Sequence, residues 1–197
     1  MGRLKKRIAL MGDTHWGVRN DHPAFLENAK RSSEWMIKTL DTKYRDVSDV
    51  IHTGDLYDRK KYINFETANA CREHLLAQLS NFSVHIIMGN HDVYHKNTHE
   101  INSLREMVAG KFATIRVYSS PHTVTISGIP ILLMPWVCGS NRALAETEIK
   151  STKAEILVGH LELSGFEMYK NVIMTHGEDP NAYNKFKGVY SGHYHRK

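Results

Sequence analysis

The chain has 197 residues, 41% of them hydrophobic and 24% charged, long enough for one globular domain with a sizeable core. No stretch approaches the roughly 18–20 apolar residues of a membrane span, and the apolar run after the basic start MGRLKKRIALMGD is too short for an export signal. The formal net charge of +5 suits an anionic partner, or solubility alone.

In chain order, RIALMG (7–12) is an apolar run closing on glycine and predicts a strand. Pro23 to Thr42 follows with a loose apolar stripe of Phe25, Ala29, Trp35, Met36 and Leu40 at helical spacing. DVIHTG (49–54) predicts a second strand, FETANACREHLLAQL (65–79) a helix and VHIIMG (84–89) a third strand. A helical stretch near 101–110 leads to TIRVY (114–118). Then come a hairpin over 123–136, a helix over 141–150, the strand AEILVG (154–159) and the short strand VYSG (189–192). Alternating strands and helices define an α/β class. Cys71 and Cys138 form no C-x-x-C pair and read as buried thiols of a reducing, cytoplasmic compartment.

Five of the apolar runs end in glycine followed by a potential metal ligand: Gly12-Asp13, Gly54-Asp55, Gly89-Asn90, Gly159-His160 and Gly192-His193. Strand ends on one rim of an α/β sheet are where such folds build sites. Glycine there permits positive φ and close backbone approach. Asp13 and His15, like His193 and His195, stand at i and i+2, so in extended chain both members of each pair face one ion. Asp55 is a lone carboxylate suited either to a helix N-cap or to bridging two cations, which repel strongly about 3.5–4 Å apart. Asn90 offers a neutral amide oxygen, and in extended chain His91 faces away from it. His160 completes the set. Nitrogen and oxygen donors without thiolate suit Mn²⁺, Fe or Zn²⁺ better than Ca²⁺.

The series D-x-H, GDxxD, GNHD, GH and GHxH resembles the calcineurin-like metallophosphoesterase superfamily over residues 7–195. The resemblance implies two β-sheets packed as a sandwich and flanked by helices (αββα), with two divalent ions at the strand ends, Mn²⁺ foremost. One ion would take Asp13, His15, Asp55 and His195, and the other Asp55, Asn90, His160 and His193. His91 would be catalytic, giving a proton or hydrogen bond to the phosphate or leaving oxygen. Asp58 resembles the carboxylate that orients that histidine. Asp58-Arg59 is similar to the GDxxDRG of protein phosphatases, whose arginine grips phosphate, although Lys60 and GNHD depart from the phosphatase pattern.

Further stretches resemble the SbcD-type repair nucleases, including those of T-even bacteriophages: GDTHWGV (12–18), LYDRK (56–60), IIMGNHDVYHKN (86–97), ILLMPWV (131–137), VGHLELSGF (158–166) and SGHYH (191–195). The insert 164–181 belongs to the same likeness; its His176 reads as a surface-loop histidine, with substrate contact the alternative. This implies a DNA exonuclease and endonuclease subunit for double-strand-break processing and recombination. Its partners would be DNA, an SbcC-type ATPase and a second copy in a homodimer, in the host cytoplasm if phage-encoded. A phosphatase or phosphodiesterase of the same superfamily, or a metal-binding scaffold without catalysis, are the competing readings. The resembled proteins continue past GHxH, so residues 1–197 are expected to be the nuclease domain without the DNA-facing cap and the ATPase-binding region.

Overall fold

Apolar runs that close on glycine can bury both faces of a strand, and here they form parallel strands in two sheets. The computed structural model describes residues 7–195; the basic residues ahead of the first strand and the last two residues lie outside them. The first sheet is wholly parallel, in the order β1 (Arg7–Met11), β2 (Val47–His52), β3 (Ser83–Ile87), β4 (Ile115–Tyr118). In the second, β5 (His122–Ile126) and β6 (Ile129–Met134) form an antiparallel hairpin. Its other members, β7 (Ile156–His160) and β10 (Gly188–Gly192), lie parallel to β6 in the order β10-β7-β6-β5. A separate small hairpin pairs β8 (Glu167–Tyr169) with β9 (Val172–Ile173).

The sheets pack face to face through Ile51 and Ile87 of the first and Val124, Ile126, Ile131, Leu133 and Val158 of the second. On the outer face of the first sheet, Val50, Val84 and Ile86 meet Leu26 and Ile37 of α1 (Pro23–Lys43) and the buried stripe of α2. That helix runs Phe65–Cys71, continues through a π-helical turn at Arg72–Leu76 and closes at Ala77–Leu79. The short α3 (Ser103–Met107) buries Leu104 in the same layer. Outside the second sheet, Leu132, Met134 and Leu157 pack on Ala145 and Ile149 of α4 (Arg142–Ser151). Burying an aliphatic side chain stabilises by about 1.5–3 kcal/mol, so the three layers carry the fold. The result is an α/β fold, as the alternating pattern predicts, in the αββα sandwich that the family resemblance implies.

The expected strands and helices form close to the limits read from the sequence. Two features escape it. Val18–Asp21 closes one helical turn with Arg19, Asn20 and Asp21 at φ 57°, 60° and 55°, so the turn is left-handed in three non-glycine residues. The hairpin β8–β9 is short and carries Val172 and Ile173 exposed, a pattern without a buried face to read. Among the described residues no helix is long and apolar enough to cross a membrane. Both thiols, Cys71 and Cys138, are buried and unpaired.

Candidate metal centre

Because the long strands of both sheets run in one direction, their C-terminal ends meet on one rim. Asp13 and His15 follow β1, Asp55 follows β2, and Asn90 and His91 follow β3. His160 ends β7, and His193 and His195 follow β10. All eight converge there.

Asp55 lies at the middle. Its carboxylate is almost fully buried, and Oδ2 stands 3.8 Å from His15 Nε2 and 3.5 Å from His160 Nε2. Its other oxygen, Oδ1, accepts the main-chain N–H of His91 at 2.7 Å. On one side, Asp13 Oδ2 is 3.2 Å from His195 Nε2, which is 3.3 Å from His15 Nε2. On the other, Asn90 Oδ1 is 2.8 Å from His160 Nε2 and 2.9 Å from His193 Nδ1. Ligand atoms of Asp13, His15 and His195 lie within 4.8 Å of one another, and so do those of Asp13, Asp55 and His160.

The donor set fits divalent ions. The Nδ1–H of buried His160 is held by the carbonyl of Thr53 at 2.8 Å, so its Nε2 presents a lone pair to Asn90 and Asp55. An amide oxygen, a carboxylate oxygen and bare imidazole nitrogens crowd together, a grouping that a cation satisfies. Burial, together with the neighbouring His160, pulls the pKa of His193 down to about 4, keeping its imidazole neutral and able to ligate. Burial also lowers His15, outweighing the charge of Asp55. Burial pushes Asp13 up, but the His160 imidazole and the N–H of His193 outweigh it and hold the carboxyl below its usual value.

The backbone supporting these groups is strained. His15, Asp55 and His193 adopt φ of 44°, 53° and 84°, a region costing about 1–3 kcal/mol for such residues and found mainly at functional sites. The extended geometry expected for D-x-H and H-x-H therefore does not hold; turns aim the side chains instead. The glycines also divide by role. Gly54 alone of the five junctions has positive φ, 105°. Gly89 and Gly192 are required by space, because a β-carbon would collide with Asp55 Oδ1 and Asp13 Oδ1 respectively.

His91 stands beside this group, its ring 4.9 Å from that of His15 in an edge-on contact. Its Nδ1 faces the main-chain carbonyl of Asp58, which fixes the proton on Nδ1 and leaves Nε2 free. This corrects one expectation: the carbonyl, not the carboxylate, of Asp58 orients His91. The carboxylate Oδ1 lies 3.4 Å from His15 Nδ1, near enough for electrostatic pairing though without hydrogen-bond alignment. Arg59 is a second correction. Its guanidinium binds Asp21 Oδ2 at 3.0 Å and Asn20 Oδ1 at 2.8 Å and covers the ring of Tyr62, so it holds the left-handed turn in place and does not line the cavity. His176 is exposed and also outside the cavity.

Four supporting residues carried no ligand signal in the sequence. Thr53 Oγ1 donates to Asp13 Oδ1 at 3.1 Å. Asp92, fully buried, accepts the N–H groups of Gly89, Asp55 and Leu56 at 2.8, 2.9 and 3.1 Å, tying the β2 and β3 loops together. Burial and the charge of Asp55 push its carboxyl up to about 8 against the pull of those amides. Buried His52 accepts from Gly54 N–H at Nδ1, which places its proton on Nε2 toward Thr14 Oγ1. The indole of Trp136 packs on His160 and His193, ring centroids 6.3 and 5.4 Å apart.

Above the group opens a cavity of about 530 Å³ lined by His15, Asp55, His91, His193 and His195, with Met168 and Lys170 of the β8–β9 hairpin on its wall. A two-sheet sandwich with nitrogen and oxygen donors gathered on either side of one buried carboxylate, and the His91 imidazole beside them, fits the metallophosphoesterase class. A family model described as calcineurin-like phosphoesterase matches residues 6–197, and the chain belongs to that family. Among curated proteins it is similar to Exonuclease subunit 1 of Enterobacteria phage T4, 33% identical over 195 residues. The match covers 96% of this chain and 55% of that protein, so the chain spans about half the length of this relative. Among solved structures it is similar to a protein of unknown function from Aquifex aeolicus, with TM-score 0.48, 16% identity, and coverage of 94% of this chain and 89% of that one. An archaeal phosphodiesterase gives TM-score 0.38 and 17% identity over 85% of this chain and 80% of that one.

Proposed function

We propose that this chain is the catalytic domain of a metal-dependent DNA nuclease that hydrolyses phosphodiester bonds as exonuclease and endonuclease. The observation that carries the reading is Asp55 Oδ2 between His15 Nε2 and His160 Nε2, with His91 at its flank. Asp13, His15, Asp55 and His195 would hold one divalent ion, and Asp55, Asn90, His160 and His193 the other. When bound, two such ions supply charge to neutralise phosphate oxygens and to activate a water near neutral pH.

The chain's own groups do the rest. Asp55, its Oδ1 fixed by the amide of His91, keeps Oδ2 turned between the two ligand groups. His91 presents Nε2 to the cavity, with Nδ1 held by the Asp58 carbonyl, so protonated it can stabilise the phosphate or deliver a proton to the leaving oxygen. The β8–β9 hairpin adds Met168 and Lys170 to the cavity wall.

The likeness to an exonuclease subunit supports DNA as substrate. Arg59, engaged with Asp21 and Asn20, is not placed to grip phosphate as in the phosphatases, which weighs against a phosphatase. Mn²⁺ as the working ion, an SbcC-type ATPase partner, a homodimer and a role in double-strand-break processing and recombination belong to the same proposal. The test is digestion of linear duplex and single-stranded DNA with and without Mn²⁺, beside His91→Ala. Metal-dependent cutting lost in the variant supports the proposal. Hydrolysis confined to small monoesters overturns it.

A further inference from the structure

Neither Met168 nor Lys170 has a part in the hydrolytic chemistry, yet both line the cavity with His15, His91 and His195. The hairpin that carries them is built to hold a fixed place. Glu167 pairs with Ile173 and Tyr169 with Val172, leaving Lys170-Asn171 as a two-residue turn. Asn171, at the second turn position, adopts a positive φ of 64°, a conformation asparagine tolerates, and its N–H is held by Glu167 Oε1 at 2.6 Å. At its base the hairpin is fastened to the segment bearing the last two histidines. Phe166 stacks on Tyr194 with ring planes 13° apart, and the Tyr194 hydroxyl donates to the carbonyl of Leu163 at 2.9 Å. Tyr194 stands between His193 and His195, so the same anchor positions the hairpin and the ligands.

Lys170 makes no ion pair or hydrogen bond among the described residues, whereas the comparably exposed Lys187 is paired with Glu155 at 2.7 Å. An uncompensated ammonium at a turn on the wall of a phosphoesterase cavity is placed for an anion. The cavity, about 530 Å³, is in the range of sites for whole small molecules and much larger than one phosphate group. Room remains beside the reacting phosphate, and it is bounded by one cation and by the apolar surfaces of Met168 and Tyr194. That combination matches a nucleotide unit, which alternates anionic phosphate with a flat apolar base.

We infer that Lys170 binds a backbone phosphate neighbouring the one hydrolysed, with Met168 and Tyr194 against the intervening nucleoside, so that the hairpin selects a polynucleotide strand over a small phosphoester. This rests on the nuclease reading above and assigns the residue that reads the strand beyond the scissile bond.

The test uses the full chain with Mn²⁺, a single-stranded oligodeoxynucleotide and the small diester bis(p-nitrophenyl) phosphate. Lys170→Gln should lower the ratio of oligonucleotide to small-diester kcat/KM about five- to tenfold, mainly through KM, as loss of a uniform binding contact requires. Lys170→Arg should restore most of it, and Lys187→Gln, the same charge change away from the cavity, should leave the ratio unaltered. Binding gives an independent readout. In a His91→Ala background, anisotropy of a labelled oligonucleotide against salt should show the slope of log K on log salt reduced by about 0.7, the value for one single-strand phosphate contact, in Lys170→Gln. If wild type cuts DNA while Lys170→Gln changes neither ratio nor slope, the inference fails and the nuclease reading stands. Equal changes in Lys187→Gln and Lys170→Gln would also overturn it, since net charge alone would then explain the effect. A wild type that hydrolyses the diester but neither binds nor cuts DNA would overturn both.

Discussion

The indole of Trp136 packs against the imidazole of His193, ring centroids 5.4 Å apart. Trp136 is buried and comes from ILLMPW, the strand end of β6 that offers no ligand. It also meets His160 edge-on, so one rigid side chain backs both imidazoles that face Asn90. Removing the partners that orient ligands typically costs 10–100-fold in metal affinity. Trp136→Ala should therefore weaken the Asn90–His160–His193 group about tenfold or more, while the group of Asp13, His15 and His195 is less affected. Titration with Mn²⁺ against a competing chelator reads both affinities. Trp136→Phe should retain most of the tighter binding. Equal weakening of both groups would show a general loss of stability instead.

Ligation and proton transfer should separate at His91. Its Nδ1 faces the Asp58 carbonyl and its ring stands beside His15. His91→Asn should keep about two metals per chain, as the ligand proposal requires, while hydrolysis falls 10²–10⁴-fold. Asp55→Ala should instead deplete both ions, because Oδ2 faces both groups. Metal content by plasma mass spectrometry and anomalous scattering decide this; a His91→Asn chain that has lost an ion would place His91 among the ligands.

How much of this was legible follows from what sequence encodes. Strands β2, β3 and β7 declared themselves because both faces are largely buried, making continuous apolar runs, and the candidate ligands because each follows an apolar run; β1 reads as such a run although Leu10 is exposed at the sheet edge. The atom that orients His91 was not legible: a main-chain carbonyl has no letter, so a nearby carboxylate, Asp58, drew the role. Arg59 reads as a phosphate ligand until its partners are known, and those partners, Asn20 and Asp21, lie in a left-handed turn that non-glycine residues do not announce. Side-chain direction at His15 and His193 also could not come from strand periodicity, since both have left the extended region. The hairpin bearing Lys170 consists of strands too short and too exposed to show alternation.

Acid should destabilise the fold through His52. Burial holds its pKa down at about 4, against 6.5 for the free imidazole. Between those values the unfolded chain binds the proton and the folded chain does not, so stability rises with pH across the window. The contribution is complete above about pH 6.5 and lost as pH falls to about 4. The shift corresponds to on the order of 3 kcal/mol. Thermal melting in chelator at intervals from pH 7 to 4 should show a falling Tm, and His52→Gln should flatten that limb. An unchanged acid limb in the variant would assign it to other groups, His193 foremost, since burial lowers it in the same direction.

Asp92 should prove to be the residue whose loss damages site and fold together. Its two oxygens accept from Gly89 and Asp55 at Oδ2 and from Leu56 at Oδ1, with Ser103 Oγ at 3.4 Å from Oδ1. These amides belong to the loops that carry Asp55 and Asn90, and all are buried, so water cannot replace the carboxylate. Above the raised pKa of about 8 the group is a carboxylate, and there Asp92→Asn keeps the volume but turns one acceptor into a donor facing backbone N–H groups. An unsatisfied buried group costs about 1–3 kcal/mol, and one kcal/mol moves Tm by about 2–4 °C for a domain of this size. A fall of roughly 4–10 °C is expected in metal-free protein. Because the strained Asp55, at φ 53°, is held in part by this acceptor, the variant should also bind Mn²⁺ more weakly at both groups, still folded by circular dichroism at 20 °C. A normal Tm with normal metal affinity would mean that Asn90 and Asp55 are held by the packing of β2 and β3 alone.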